Sequence, residues 1–574
     1  MRGKGPRAGF AVLAATLLFA SCSETAPSPG ASAIAGPSAT ETPRRGGQLV
    51  YGLATDIVTL QPILAVDNPS AQVWSLNYAG LLGNDPATGD LRPGLAESFS
   101  MSADNRRVTY ILRAGLVWSD GVPLTGEDYR FTVEATARSR KTTQHSFFQD
   151  IVGWSDYVTG QADSLRGINI TDAGRTIQID LVRGRCSALG DMAPAIIPRH
   201  RFITQWDPRT TDMTTSIDDA AFNRAPPVAS GPFIFAEYRP GDQIRLVRNE
   251  RFWKGAPFID EVVFRIFPDQ VTSRLAFLSG EISVAGVAPG DVEDTRKRMG
   301  ANAVDFRLSG VGGQTYLALN TRSATAPWLA DKRVRQALWY GLDTETMLQA
   351  TYFGYAHRIS TFTPDTSWAY DPTGLDRHEF DRNRARVLLE NAGARLASDG
   401  LYRWTDGRTV EMKIEVGNNT APRVTFTQAM TEQLRAIGIK ATIVVQPFNA
   451  LVARLQAHDP TVESYVITTG LSPDLTDTFE MWHSSQMARS SNNSGFSDPA
   501  LDRAVEAGMF GPDCSVAARR AAYHQMDLVL NDAAPFVLLF TNDNVQFRSS
   551  RLVAPPPMPY GTRYDLHTWW FRTP

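Results

Sequence analysis

The sequence is poor in cysteine: three stand among 574 residues, and one of them, Cys22, falls at the end of an N-terminal apolar run. Cys186 and Cys514 remain, too few and too far apart to read as a disulfide framework or a thiolate metal site. The eight histidines offer no H-x₃₋₅-H or H-E-x-x-H spacing, which removes the usual grounds for a zinc site. There is no P-loop, no G-x-G-x-x-G and no G-x-S-x-G elbow. Gly310-Val-Gly-Gly313 is too short a glycine run for phosphate binding and reads as a flexible crossing. Basic stripes and basic-aromatic runs are missing, so nucleic acid is excluded as a partner. No cofactor is indicated, and no pair of carboxylates stands in a recognisable acid–base setting. The expectation is a protein that is not an enzyme.

What is present is an ordinary soluble composition, 43% hydrophobic and 20% charged, with a formal net charge of −3. The length is too great for one core, so two or three lobes are expected. Arg2, Lys4 and Arg7 precede an apolar stretch from Gly9 to Ala20 that is too short to span a bilayer, the layout of an export signal. It ends in Phe19-Ala20-Ser21-Cys22, which resembles a bacterial lipobox with Phe in place of the usual Leu. The reading is signal cleavage after residue 21 and lipid attachment at Cys22. Without its three basic residues the chain carries about −6. Residues 22–45, rich in Ser, Pro, Ala, Thr and Gly, read as a disordered tether.

Order is expected from Gln48-Leu-Val-Tyr-Gly52, followed by an amphipathic helix around 71–81. Residues 91–135 carry the most specific pattern. Residues 95–100 and the alternating Val108, Tyr110 and Leu112 predict a hairpin about the turn Ser102-Ala-Asp-Asn105. Thr125 with Asp128 predicts a capping box and a helix opening near Glu127. A second hairpin is read from Ile168, Ile170, Ile177, Ile179 and Leu181. Further on, Asp343 and Asp381 are placed as helix N-caps, and Pro499 in the first turn of another helix. An amphipathic helix over 424–437 is stopped by Gly438 and leads into a strand over 439–445.

The order Pro93, Leu95, Ala96, Glu97, Ser98, then Ser102, Asp104, Tyr110, Leu112, Arg113, Gly115, Trp118, Asp120, Gly121, Pro123, Leu124, Thr125, Asp128 and Phe131 resembles the signature of the extracytoplasmic solute-binding proteins of family 5. These are the peptide- and nickel-type binding proteins of ABC importers. Ser230-Gly-Pro-Phe233 through Trp253, and Tyr316 through Leu338, match two later blocks of the same family. The resemblance implies an α/β fold of the type II periplasmic-binding-protein class, with three lobes around a hinged cleft. It places domain I at 46–84, 200–311 and 538–574, domain II at 85–199 and domain III at 312–537. Cys186 and Cys514 would then lie in different lobes, and both are expected to be unpaired.

The same resemblance implies capture of a small solute by cleft closure and delivery to ABC permease subunits, by a monomer lipid-anchored outside the cytoplasmic membrane. A secreted hydrolase using the same cleft, or a receptor without transport, are the alternatives. Three segments would line the cleft: Val66-Asp67-Asn68, the segment carrying Phe448, and Gly470-Leu-Ser472-Pro-Asp474. Trp368 and Phe540 are further candidates. Peptide binders of the family pair the peptide's α-amino group with an Asp in the third segment. Ser472 stands nearest that position here, and Asp474 is the carboxylate close by. A hydroxyl cannot replace a carboxylate opposite a buried ammonium. Free oligopeptides are therefore not the expected solute, and a sugar, an opine-like molecule or another amphipathic metabolite is equally open.

Overall fold

Each half of the signature stretch folds where its own residues direct it. In a computed structural model of the chain, Ala96–Met101 pairs antiparallel with Arg107–Leu112 across the turn at 102–105. Asn105 takes the left-handed conformation there, at φ 57°. Val108, Tyr110 and Leu112 are buried on one face. The capping box forms: the Thr125 side chain accepts from the Glu127 backbone N–H at 3.3 Å, and Asp128 accepts from the Thr125 N–H at 2.9 Å. It opens the helix Gly126–Arg138, whose Tyr129 and Val133 pack on the hairpin. Ile168–Thr171 and Thr176–Asp180 complete a four-stranded antiparallel sheet.

Two larger sheets build the rest. A seven-stranded sheet runs in the order Ala303–Leu308, Asn544–Ser549, Val284–Gly286, Gln48–Leu53, Glu261–Ile266, Gln243–Arg248, Phe233–Arg239. It gathers three distant parts of the chain, which explains why its cores draw on Leu49, Val262 and Trp569 on one face and Val263 and Phe547 on the other. A six-stranded sheet runs in the order Ala356–Arg358, Phe536–Asn542, Gln314–Leu319, Ser464–Thr469, Glu411–Gly417, Lys440–Gln446. Its central strand Gln314–Leu319 is buried at every position, as a strand covered on both faces must be. Asp343 and Asp381 cap the helices Thr344–Tyr352 and Arg382–Asn391 as expected. Ala421–Ala436 ends before Gly438, which sits at φ +93°.

The structure describes residues 41–573 apart from 54, 66, 205, 210–216, 311–312, 471, 473 and 488–491. Cys22 and Val66 thus lie outside the described residues. Pro43–Pro574 form one compact unit. Among the described residues no helix is long and apolar enough to cross a membrane.

Two expectations are corrected. The first helix is Asn68–Asn77, not 71–81, because Asp67 caps it through the Ser70 N–H at 2.9 Å and Pro69 occupies its first turn. Cys186 and Cys514 are bonded to each other, with Cα atoms 5.1 Å apart, rather than unpaired. Their separation along the chain hid a pairing that only the packing of the four-stranded body against the six-stranded one creates.

Candidate functional site

A cavity of about 810 Å³ lies between these two bodies. That is the size range of small-molecule sites. The four-stranded body gives it an apolar wall. Phe99 and Met101 project from the same face of Ala96–Met101, two residues apart as a strand requires. Leu189 joins them, its carbonyl accepting from the buried Tyr110 hydroxyl at 2.7 Å. Phe147 and Phe148 come from the short turn of helix after Gln144, whose side chain donates to the Pro62 carbonyl at 2.9 Å.

The six-stranded body gives a polar wall. Ser472, Asp474, Thr476 and Asp477 line it from the loop after Ser464–Thr469. That loop is knotted by its own side chains: the Ser472 N–H donates to Asp477 at 2.9 Å, and the Ser472 hydroxyl accepts from the Asp474 N–H at 3.2 Å. Burial raises the pKa of Asp477, with the Ser472 N–H holding it down in part. Trp368 lines the cavity as well, its carbonyl fixed by the Arg520 guanidinium at 2.9 Å.

Each wall carries a buried arginine paired with a carboxylate that lines the cavity. Arg519 donates to Asp474 at 2.7 Å and lies over the Trp368 ring at 4.9 Å. Arg185 meets Asp191 at 2.7 Å. Burial raises the pKa of Asp474, and Arg519 offsets part of the rise; 39% of the side chain is nevertheless exposed, and the residue lines the cavity. Burial likewise raises Asp191, countered by Arg185, and the charge of Asp474 across the cleft raises it further. The four groups therefore face one another as two neutral pairs, and the cleft presents no uncompensated charge from them.

A narrower recess of about 120 Å³, lined by Gly310, Gly313, Asp365, Gly470, Thr541 and Tyr560 among others, meets the cleft at Ser472. It lies where the chain crosses between the seven- and six-stranded sheets. His357 and Asp365 pair at its edge at 2.9 Å, an interaction that raises the pKa of His357. Among the described residues no group of three or more His, Cys, Asp or Glu side chains could hold a metal ion.

Of the candidates read from sequence, Trp368, Ser472 and Asp474 line the cleft and Gly470 the recess. Asp67 and Asn68 line neither; Asp67 is engaged as a helix cap. Phe448 is half-buried at the start of Phe448–Gln456. Phe540 is fully buried between Tyr352 and Phe426, with ring centroids 4.7 and 4.8 Å away, and lines neither the cleft nor the recess. Sequence reasoning missed Phe99, Met101, Phe147, Phe148 and Arg519. For Arg519 a signal existed: a cation at an inward position of the helix Val516–Ala533 needs a buried partner.

Residues 90–499 match the family model for bacterial extracellular solute-binding proteins, family 5 Middle. The chain belongs to that family. It is 23% identical over 536 residues to the oligopeptide-binding protein AppA of Bacillus subtilis (strain 168), covering 92% of each chain. To the nickel-binding periplasmic protein of Escherichia coli (strain K12) it is 26% identical over 71% of this chain and 74% of the other. The solved structure of AppA from Bacillus subtilis in complex with a nonapeptide superposes with a TM-score of 0.78 at 21% identity, over 93% of this chain and all of that one. Family members are solute-binding proteins, and the mixed α/β architecture is theirs.

Proposed function

We propose that this chain is the solute-capturing component of an ABC importer and is not an enzyme. It acts as a monomer outside the cytoplasmic membrane, held there by lipid on Cys22. The lobes are those read from sequence, domain I at 46–84, 200–311 and 538–574, domain II at 85–199 and domain III at 312–537; three separate large sheets support a three-lobed layout, although the six-stranded sheet runs past the 537 limit through Phe536–Asn542. The cleft closes on solute because the closed form binds it better, and the permease engages the closed form. The observation that carries this is the 810 Å³ cavity with one apolar and one polar wall, contributed by different sheets. The relatives named for oligopeptides and nickel support the transport role but differ in solute.

The solute is an amphipathic molecule with a bulky apolar body and no free ammonium. Phe99, Met101, Phe147 and Leu189 match the body. Asp474, the carboxylate nearest to where an ammonium would need one, is already neutralised by Arg519. Calorimetry with a mixed di- to pentapeptide library is expected to show no submicromolar binding, and native mass spectrometry of gently purified protein an uncharged co-purifying molecule. Asp474→Asn then changes affinity for that molecule little. A loss of tenfold or more, up to the roughly 3–5 kcal/mol of a broken buried charge pair, would instead mark a cationic solute. For the anchor, Cys22→Ser is expected to move the protein from the membrane to the soluble fraction; a variant that stays membrane-bound would remove the lipid from this account.

A further inference from the structure

We propose that the Cys186–Cys514 disulfide is a covalent strap across the mouth of the cleft, so that the oxidised chain cannot open and solute exchange requires its reduction. This rests on the reading of the cavity as a solute cleft that closes by hinge motion, and adds a redox control to it.

The placement is the argument. Cys186 follows the strand Thr176–Asp180 of the four-stranded body, and Cys514 sits between the helices Pro499–Phe510 and Val516–Ala533 of the six-stranded one. Both line the cavity itself. The crossings between the seven- and six-stranded sheets, at Gly310, Gly313 and Thr541, line the separate recess instead. The bond thus lies on the cleft and not at those crossings. Around it the two bodies touch through contacts that hinge motion can break: the Cys186 N–H donates to the Met509 carbonyl at 2.8 Å, and Arg183 lies 3.7 Å over the Phe510 ring. The disulfide differs in kind. Bonded cysteines keep their Cα atoms within about 7 Å, against 5.1 Å here, so the walls cannot part at this point while the bond is intact. A disulfide meant only to stabilise the fold would have no reason to join two bodies that must separate.

The two sulfurs are unequal. Cys186 is 8% exposed, whereas Cys514 is half-buried beside the exposed Pro512 and Asp513. A dithiol reductant therefore attacks at Cys514. Its first thiolate bonds to the Cys514 sulfur and Cys186 leaves as thiolate. Its second thiolate then attacks the mixed disulfide and releases Cys514. The reductant ends as a disulfide, two electrons pass to the chain, and both cysteines take up protons to become thiols. Disulfides persist outside the cytoplasm, so the strapped form is the resting one there.

The test compares the mature protein as purified without reductant, the same protein with dithiothreitol, and the double variant Cys186→Ser/Cys514→Ser. Each is freed of bound solute by full unfolding in guanidinium, which leaves the disulfide intact, followed by refolding through dialysis. Non-reducing peptide mapping is expected to join the 186 and 514 peptides. Small-angle scattering should give one compact radius of gyration for the oxidised chain and a larger one for the reduced chain and the variant, with dithiothreitol leaving the variant unchanged. Two free thiols in the purified protein overturn the strap. So does an oxidised chain as expanded as the reduced one, both wider than the solute-bound protein before guanidinium treatment, an outcome that leaves hinge closure intact. Equal compactness of all three forms overturns the strap and the hinge reading together.

Discussion

The two walls of the cleft carry the same ion pair in opposite settings. In the four-stranded body Asp191 keeps 6% of its side-chain surface and Arg185 4%; in the six-stranded body Arg519 keeps 9% but Asp474 keeps 39%. Arg185 is further tied to the Ser146 carbonyl at 3.0 Å and to Asp150. The first pair is sealed, and its task is to hold the loop that carries Cys186 and Leu189. The second opens onto the cavity, and its carboxylate is partly exposed there. Apolar contact is thus assigned to a wall whose charges are locked away, and polar contact to a wall whose charge is neutralised yet reachable.

The comparison breaks most sharply on removal of each cation. Arg185→Met leaves Asp191 buried without its counter-charge, a loss of roughly 3–5 kcal/mol. Asp150 is spared because Arg183 holds it at 2.9 Å. Arg519→Met leaves Asp474 in contact with cavity water, so the expected loss is smaller, roughly 1–3 kcal/mol, that of one charge-assisted hydrogen bond. Calorimetric melting of the two variants decides the order. A larger loss for Arg519→Met would mean that Asp474 is the sealed carboxylate.

Local signals made most of the fold legible. The capping box at Thr125 and Asp128, the Asp343 and Asp381 caps and the hairpin alternation each act within a few residues, so sequence spacing suffices. The family resemblance then carried Trp368, Gly470, Ser472 and Asp474 to the cavities. The rest depended on distance. Phe540 and Phe147 are chemically identical, and only the tertiary fold puts one between Tyr352 and Phe426 and the other on the cleft. Asp67 looked like a ligand-facing carboxylate, but a helix N-terminus one residue on claims its oxygen. The disulfide was the least legible, because 328 residues separate its ends and no periodicity spans them.

Behind each wall lies a carboxylate that burial pushes up to a pKa of about 6 or 7, and the two sharpen the comparison through pH. Glu134, on Gly126–Arg138, accepts from the Leu165 N–H at 3.1 Å, and burial lifts its pKa from 4.5 to about 7. Asp527, on Val516–Ala533, accepts from the Phe362 and Thr363 N–H groups at 2.9 and 3.1 Å, and burial lifts it from 3.8 to about 6. Those two amides begin the loop that carries Trp368. In both cases the folded chain holds a proton that the unfolded chain has lost, so stability falls as pH rises through the window and is level above it. At about 1.4 kcal/mol per unit, and allowing for local relaxation, each group removes on the order of 2 kcal/mol. Glu134→Gln and Asp527→Asn abolish the titration. Relative to the native chain, each variant should therefore gain stability with rising pH, Asp527→Asn between about 4 and 6 and Glu134→Gln between about 4.5 and 7. Melting temperatures at half-unit steps of pH measure both curves. A gain for Asp527→Asn that continues past the end of the Glu134→Gln curve would reverse the order in which the two carboxyls titrate, and a loss in either would mean that its pKa is not raised.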